Sequence, residues 1–375
     1  MRTKILVLGA LPAAALLAAT AAHSTPQAAP LPAGAGYVTA FAFDPAHPNV
    51  VYTATEPGPG GSHDRVYRST DGGARWQRLF SRRGWFRAYA LAVDPKHPRT
   101  VYVGGGRAVY KTTDAGRTWR TFNRGLLPPP GINRGEGWVT WLALDPANHD
   151  VLYEYDEGGT LRKSADGGRT WNVVLSGAKK RFFAWSLLIA PRPPLALYAA
   201  FASTGCWPCH GGKPFKPRMR RGIYKSTDGG RTWRRLGMPA PPPAAVSTAG
   251  LPSIPAAADP QRQTLYFAEQ DRIFASTDAG RTWRDIGRGL PHDQPVSALA
   301  AGGGTVVASL GTDGVYTSAN EGRTWMRSWP ASGPVRGPAV DLLTVDPADP
   351  AYVVAAAGNR VLRSNDGGRT WTGTP

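Results

Sequence analysis

"KSTDGGRTW", residues 225–233, is the stretch that decides the fold. By itself it reads like a catalytic loop: a serine, an aspartate, two glycines that bare the backbone, an arginine and a tryptophan. It does not stand by itself. Aligned on the tryptophan, "RSTDGGARW" (68–76), "KTTDAGRTW" (111–119), "KSADGGRTW" (163–171), "ASTDAGRTW" (275–283), "TSANEGRTW" (317–325) and "RSNDGGRTW" (363–371) repeat it, with successive tryptophans 43, 52, 62, 50, 42 and 46 residues apart. Self-similarity at this period, with strand-like filling, marks a propeller or another stacked array.

The filling agrees. "LAVDPKHPRTVYVGG" (91–105) is echoed by "FAFDPAHPNVVYTAT" (41–55), "LALDPANHDVLYEYD" (142–156), "AAADPQRQTLYFAEQ" (256–270) and "LTVDPADPAYVVAAA" (343–357). Each is an apolar strand, an Asp-Pro turn and a second apolar strand. A short strand precedes each box and another follows its tryptophan, so the expected fold is all-β: seven blades of four antiparallel strands. The fourth copy, "LLIAPRPPLALYAAF" (187–201), lacks the aspartate, and the sixth, "LAAGGGTVVASLG" (299–311), lacks the whole turn. Chemistry at the boxes is excluded on two counts: no histidine accompanies them, and seven equivalent sites around a ring do not make one active centre. Asp71, Asp114, Asp166, Asp228, Asp278, Asn320 and Asp366 therefore read as turn fasteners, accepting bonds from their own backbone. The turns at Asn320, where the carboxylate is lost, and at Arg75, where the arginine is displaced, are expected to be looser.

The pattern Ser-x-Asp-x-Gly-x-Thr-Trp resembles the Asp-box, or BNR repeat. It is shared by bacterial sialidases, xyloglucan-type glycoside hydrolases, the luminal propeller of sortilin-like receptors and the photosystem II assembly-factor family. The likeness covers nearly all of residues 37–375. It implies that each box lies between the third and fourth strands of a blade, and it leaves function open, because enzymes, receptors and scaffolds all carry the motif. The sialidase signature Phe/Tyr-Arg-Ile-Pro is absent from the sequence.

Residues 1–22 carry Arg2 and Lys4 followed by an uncharged apolar run, the pattern of a secretory signal peptide. Residues 23–36, "HSTPQAAPLPAGAG", read as a flexible spacer before the propeller. The expected location is secreted, periplasmic or at the cell surface, in a monomer that is not integral to a membrane. A formal charge of +18 favours an anionic partner, and export argues against nucleic acid.

Strands run up and down within a blade, so boxes and Asp-Pro turns share one face, the bottom. A specific site belongs to the opposite, top-face loops. There Trp85, Arg87, Arg134, Trp138, Trp141, Arg181 and Trp185 are the candidate ligand-binding residues, since indoles stack on sugar rings or cations and guanidinium groups grip anions. Against this, such tryptophans also pack between blades. The acidic residues left on top are Glu56, Asp64, Glu136, Asp156, Glu157, Glu269, Asp271 and Asp293. Of these, Glu136, in "NRGEGW", and Asp156 and Glu157 are the candidates for catalysis, since glycosidic cleavage calls for two carboxyl groups across the scissile bond. Within the insert 203–221, Cys206, Cys209 and His210 lie in "CWPCH", which fits a short-range disulfide or free thiols, and alternatively covalent haem c attachment. No metal and no other cofactor is expected. The function expected first is a non-catalytic binding or assembly propeller that recognises an anionic glycan or acidic protein surface. The alternative is a glycoside hydrolase, sialidase-like or xyloglucanase-like.

Overall fold

The computed structural model describes residues 31–47, 49–59, 61–83, 86–106, 108–126, 138–156, 159–176, 183–190, 195–202, 222–237, 255–330 and 339–372, with the backbone alone at 83, 183–185 and 201–202. Residues 1–30, with the expected signal and most of the expected spacer, lie outside these residues. The strands form seven antiparallel sheets, each built from consecutive strands in chain order, with almost no helix. Blade 1 is typical: Tyr37–Phe43, Val51–Glu56, His63–Ser69 and Gln77–Arg83. Blades 2 to 7 occupy 88–122, 139–176, 183–235, 256–285, 296–329 and 342–364. At six of the seven junctions the first strands of neighbouring blades meet, which places them innermost around the axis.

Burial follows position. Second strands such as Val101–Gly105 and Val353–Ala357 are buried along their whole length, because both faces of the sheet are covered by neighbouring blades. Fourth strands such as Arg234–Arg235 and Arg284–Asp285 are short, charged and exposed, which blunts the outer edge against pairing with another chain.

The core is divided into seven clusters, and each cluster is one junction between blades. Tyr52, Val66 and Phe80 of blade 1 pack on Val103, Tyr110 and Trp119 of blade 2, and Tyr153 and Leu161 of blade 3 pack on Leu197, Tyr224 and Trp233 of blade 4. Every box tryptophan sits in a different cluster, against the preceding blade: Trp76, Trp119, Trp171, Trp233, Trp283, Trp325 and Trp371. An indole buries more apolar area than any other side chain, so one per junction is an efficient wedge.

The box turns are built alike. In blade 4 the Ser226 hydroxyl donates to Asp228 Oδ1 at 2.8 Å and accepts the Gly230 N–H at 2.8 Å, while Asp228 accepts the Thr232 N–H at 3.0 Å and its hydroxyl at 2.5 Å. Gly230 has φ +90°, and a Cβ there would lie 2.8 Å from Leu161 of blade 3, so glycine is required on both counts. Asn320 keeps the geometry that was expected to loosen. Its Oδ1 accepts the Ser318 hydroxyl and the Thr324 N–H at 2.9 Å each, and its amide donates to the Thr324 hydroxyl at 2.8 Å, reversing one bond. In the first box Asp71 still accepts the Arg75 N–H at 2.8 Å, but the position of the threonine hydroxyl is taken by arginine.

Asp-Pro turns and boxes share a face: Gly72 donates to the Asn49 carbonyl, Gly167 to Asp150 and Gly367 to Ala351, all within 2.9 Å. Among the described residues the last blade has three strands, and its fourth is one bridge between Arg363 and Thr372. Residues 31–36 add no strand to it. Instead Leu31 and Ala35 pack with Val38, Tyr67, Tyr352 and Val354 at the blade 7 to blade 1 junction. There Val38 N–H donates to the Gly358 carbonyl at 2.9 Å, and both the Tyr352 hydroxyl (2.6 Å) and Arg363 Nη1 (2.7 Å) donate to the Gly72 carbonyl. Among the described residues the ring is thus closed by packing between blades 7 and 1, with no strand exchanged between them.

Candidate active site

Second strands end at the top face, and three of them end in an acidic residue: Glu56, Asp156 and Glu269. Their surroundings separate them. Asp156 is 2 % exposed and committed to the blade interior: Arg162 Nη1 lies 2.6 Å from its Oδ2 and 2.6 Å from Glu154 Oε1, and Asp156 Oδ1 accepts the Thr160 N–H at 2.8 Å. Burial pushes the Glu154 carboxyl up to about 8, with Arg162 opposing and Asp156 reinforcing the shift. This buried trio reads as an internal ion pair of blade 3, so Asp156 does not present the open carboxylate that catalysis needs. Glu269 is 9 % exposed.

Glu56 is only half-buried, so its carboxylate is partly accessible at the top face. Thr55 pairs with Arg65, so the next cross-strand pair in register is Glu56 and Asp64, on one side of the sheet. Directly opposed residues hold their Cβ atoms about 4.5–5.5 Å apart. Asp64 is fully buried; its Oδ1 accepts the Ala88 N–H of blade 2 at 3.3 Å, and its Oδ2 has no hydrogen-bond partner among the described residues. Burial raises the Asp64 carboxyl above the ordinary aspartate value, the charge of Glu56 adds to that, and backbone N–H groups at Phe86, Arg87 and Ala88 oppose it.

Blades 2 and 3 complete the cluster. The Tyr89 hydroxyl donates to Glu56 Oε2 at 3.1 Å and accepts from Arg87 Nη1 at 2.9 Å. The Arg87 guanidinium lies over the Trp138 ring, 4.4 Å from its centre, as a cation–π pair. Arg87 itself holds φ +48°, an unusual conformation for a residue with a side chain and one that concentrates at functional sites. The sequence Trp138, Arg87, Tyr89, Glu56 is therefore a continuous chain of contacts across three blades of the top face.

Of the residues anticipated for binding, Arg87 and Trp138 are brought together. Trp141 packs instead into the blade 3 to blade 4 junction, filling core rather than facing a ligand. Trp85, Arg134, Glu136, Glu157, Arg181, Cys206, Cys209 and His210 lie outside the described residues, as does the side chain of Trp185. Basic charge is not confined to the top: a groove of about 510 Å³ between blades 1 and 2, beside the bottom turns, is lined by Arg68, Arg78, Arg99 and Arg117 with Asp114. Tyr89 and the pairing of Glu56 with Asp64 went unanticipated. Their only signal was the strand register, which seats Glu56 and Asp64 opposite each other across a loop of six residues.

No known family profile matches the chain. Among curated proteins it is 27% identical over 243 residues to a xyloglucanase of a Paenibacillus species, covering 54% of this chain and 21% of that protein. It is 25% identical over 394 residues to a probable oligoxyloglucan-reducing end-specific xyloglucanase of Neosartorya fischeri, covering 97% of this chain and 43% of that one. The chain thus spans less than half the length of these relatives. Among solved structures, the GH74 xyloglucanase of Xanthomonas campestris matches with a TM-score of 0.60 at 20% identity, over 92% of this chain and 55% of that one. The protein YCF48 bound to D1 peptide matches with a TM-score of 0.63 at 14% identity, over 90% and 94%. These structural likenesses show the fold. The curated relatives overturn the expectation of a non-catalytic binding or assembly module: they are glycoside hydrolases, and the hydrolase alternative is the reading they favour. Among the described residues no helix is long and apolar enough to cross a membrane. The chain is a seven-bladed β-propeller similar to xyloglucanases.

Proposed function

We propose that the chain acts on xyloglucan as a glycoside hydrolase, through the top of blades 1 to 3. The observation that carries this is the half-exposed Glu56 beside Asp64, oriented by Tyr89 and flanked by the Arg87–Trp138 pair. Hydrolysis of a glycosidic bond needs one carboxylate to activate water or attack the sugar carbon and a second carboxyl group to protonate the leaving oxygen. Glu56 is the carboxylate that meets the sugar. The Tyr89 hydroxyl fixes one of its oxygens, and Arg87 fixes the hydroxyl, so the group is held in place before substrate arrives. Asp64, wholly buried behind it, is a positioning residue. Trp138 offers an indole surface for a sugar ring. Glu136, two residues before Trp138 in the sequence, is the residue we propose as the second carboxyl group. The relatives' printed activity supports the substrate class, and the apolar N-terminal run supports work outside the cell.

The test is release of reducing ends from xyloglucan by the full chain. Turnover is expected, with Glu56→Gln lowering kcat at least ~100-fold at unchanged melting temperature, the range set by loss of a general acid or base. Tyr89→Phe should lower kcat less, because Glu56 remains but is less well held. Absence of turnover on xyloglucan, or full activity in Glu56→Gln, would sink the proposal.

A further inference from the structure

We propose that Asp94, His97 and His149 form a binding site for a divalent transition metal of the zinc class, at the bottom face where blade 2 meets blade 3. The site is independent of the carbohydrate reading and lies on the opposite face of the ring.

The argument starts from the repeat. In blade 1 the turn Asp44-Pro45-Ala46-His47 closes on itself: Asp44 Oδ1 accepts the Ala46 and His47 N–H groups, and His47 Nδ1 lies 2.9 Å from Asp44 Oδ2. Blade 2 repeats this with Asp94, Lys96 and His97, the His97 Nδ1 lying 3.2 Å from Asp94 Oδ2. One histidine per turn is thus part of the turn's own structure and calls for no ligand. The fifth position of the turn is proline in blades 1, 2 and 7, at Pro48, Pro98 and Pro350. In blade 3 it is His149, and this residue crosses the junction to place Nδ1 2.5 Å from Asp94 Oδ1.

The result is a carboxylate with two imidazoles, and one potential ligand atom from each residue lies within 4.8 Å of those of the other two. Asp94 and His149 are largely buried, with side chains 6% and 11% exposed, whereas His97 is 71% exposed. His149 Nδ1 is the nitrogen that faces Asp94 Oδ1, while its Nε2, on the far side of the ring, is buried without a hydrogen-bond partner among the described residues. A tetrahedral zinc with bonds of ~2.0–2.1 Å holds its donors roughly 3.4 Å apart, so His149 Nδ1 and Asp94 Oδ1, now 2.5 Å apart in a direct hydrogen bond, must open to admit the ion while His97 turns toward it. His97, exposed on a turn, is the one free to do so. Two imidazoles and one carboxylate suit zinc, copper, nickel or cobalt better than magnesium or calcium. The exposed side next to His97 leaves the fourth position to water. Because Asp94 and His97 belong to blade 2 and His149 to blade 3, a bound ion ties the two blades together.

The experiment uses the full chain stripped with chelator, with Cys206 and Cys209 alkylated so that sulfur cannot contribute. Zinc is titrated by calorimetry and cobalt by visible absorption. The expected result is saturable binding of one equivalent, with a zinc-dependent rise in melting temperature. His149→Ala and His97→Ala should each abolish both, and His47→Ala should abolish neither. The exposed His97 guards against the chance that His149→Ala fails to fold. Absence of saturable binding, binding that persists in both variants, or equal loss on His47→Ala would overturn the proposal.

Discussion

Glu56 and Asp156 hold the same station, the last residue of a second strand, and differ in one neighbour. Opposite Glu56 stands Asp64, a second acid, whereas the trio around Asp156 contains Arg162. Arg162 is the cation that both buried acids share, so removing it leaves Asp156 without a partner charge. Arg162→Met is expected to cost ~3–5 kcal/mol at pH 8, the range for breaking a buried ion pair from one side. The loss should shrink at pH 5. The Glu154 carboxyl is raised to about 8, so between the ordinary glutamate range and pH 8 the folded protein holds a proton that the unfolded chain releases. What this group contributes therefore declines as pH rises through that window, and below it a protonated Glu154 has less need of the cation. Urea denaturation of both proteins at the two pH values checks the sign. At this scale the sequence was readable where chemistry is local. The box aspartates and their serines bond to residues two to four positions away, so the motif contains its own partners. Asn320 was misjudged because an amide oxygen accepts as a carboxylate oxygen does, while the nitrogen turns a lost acceptor into a donor. The Glu56 site was hidden because its members come from three blades and meet only after strand register and blade packing are set.

At the scale of the element, the box is a hairpin turn that also serves as a wedge, and its two jobs impose separate limits. The turn needs a left-handed backbone at the second glycine, and the wedge needs that residue to have no side chain. Gly280 shows both: φ is +82°, and a Cβ would fall 2.4 Å from Leu236 Cδ1 of the preceding blade. Gly280→Ala is expected to destabilise by ~1–3 kcal/mol or more, combining overpacking with a disfavoured backbone angle. A companion Leu236→Ala change should recover part of the loss if the clash is the main cause, and none if backbone strain is. Denaturation midpoints of the single and double variants separate the two. The strand pattern was legible because inner strands are continuous apolar runs and turns carry Asp-Pro or Asp-Gly. Which top-face tryptophans would pack and which would face outward was not legible: Trp138 and Trp141 are three residues apart in sequence, yet one meets Arg87 and the other the core of the next junction.

Across the whole molecule, the count of seven was in the sequence from the start, because the period and the copy number are both properties of one dimension. The charge was also there, as a formal +18. Net charge speaks to solubility and long-range attraction rather than to what a particular cleft cleaves. How the ring shuts was the least legible property. Among the described residues, Leu31 and Ala35 enter the junction between blades 7 and 1 as packing, and blade 7 shows three strands and a bridge.

That closure carries a topological consequence. Among the described residues no hairpin is shared across the seam between blade 7 and blade 1, so the circle has no privileged starting point, and its chain ends could be moved. A circular permutant that opens between Arg288 and Gly289, both exposed on the connection from blade 5 to blade 6, and links residue 372 to residue 31 through a flexible spacer, should fold with the native circular dichroism spectrum and melt cooperatively. A molten or aggregated product would mean that the order of synthesis, and not only the packing of finished blades, is needed to complete the circle.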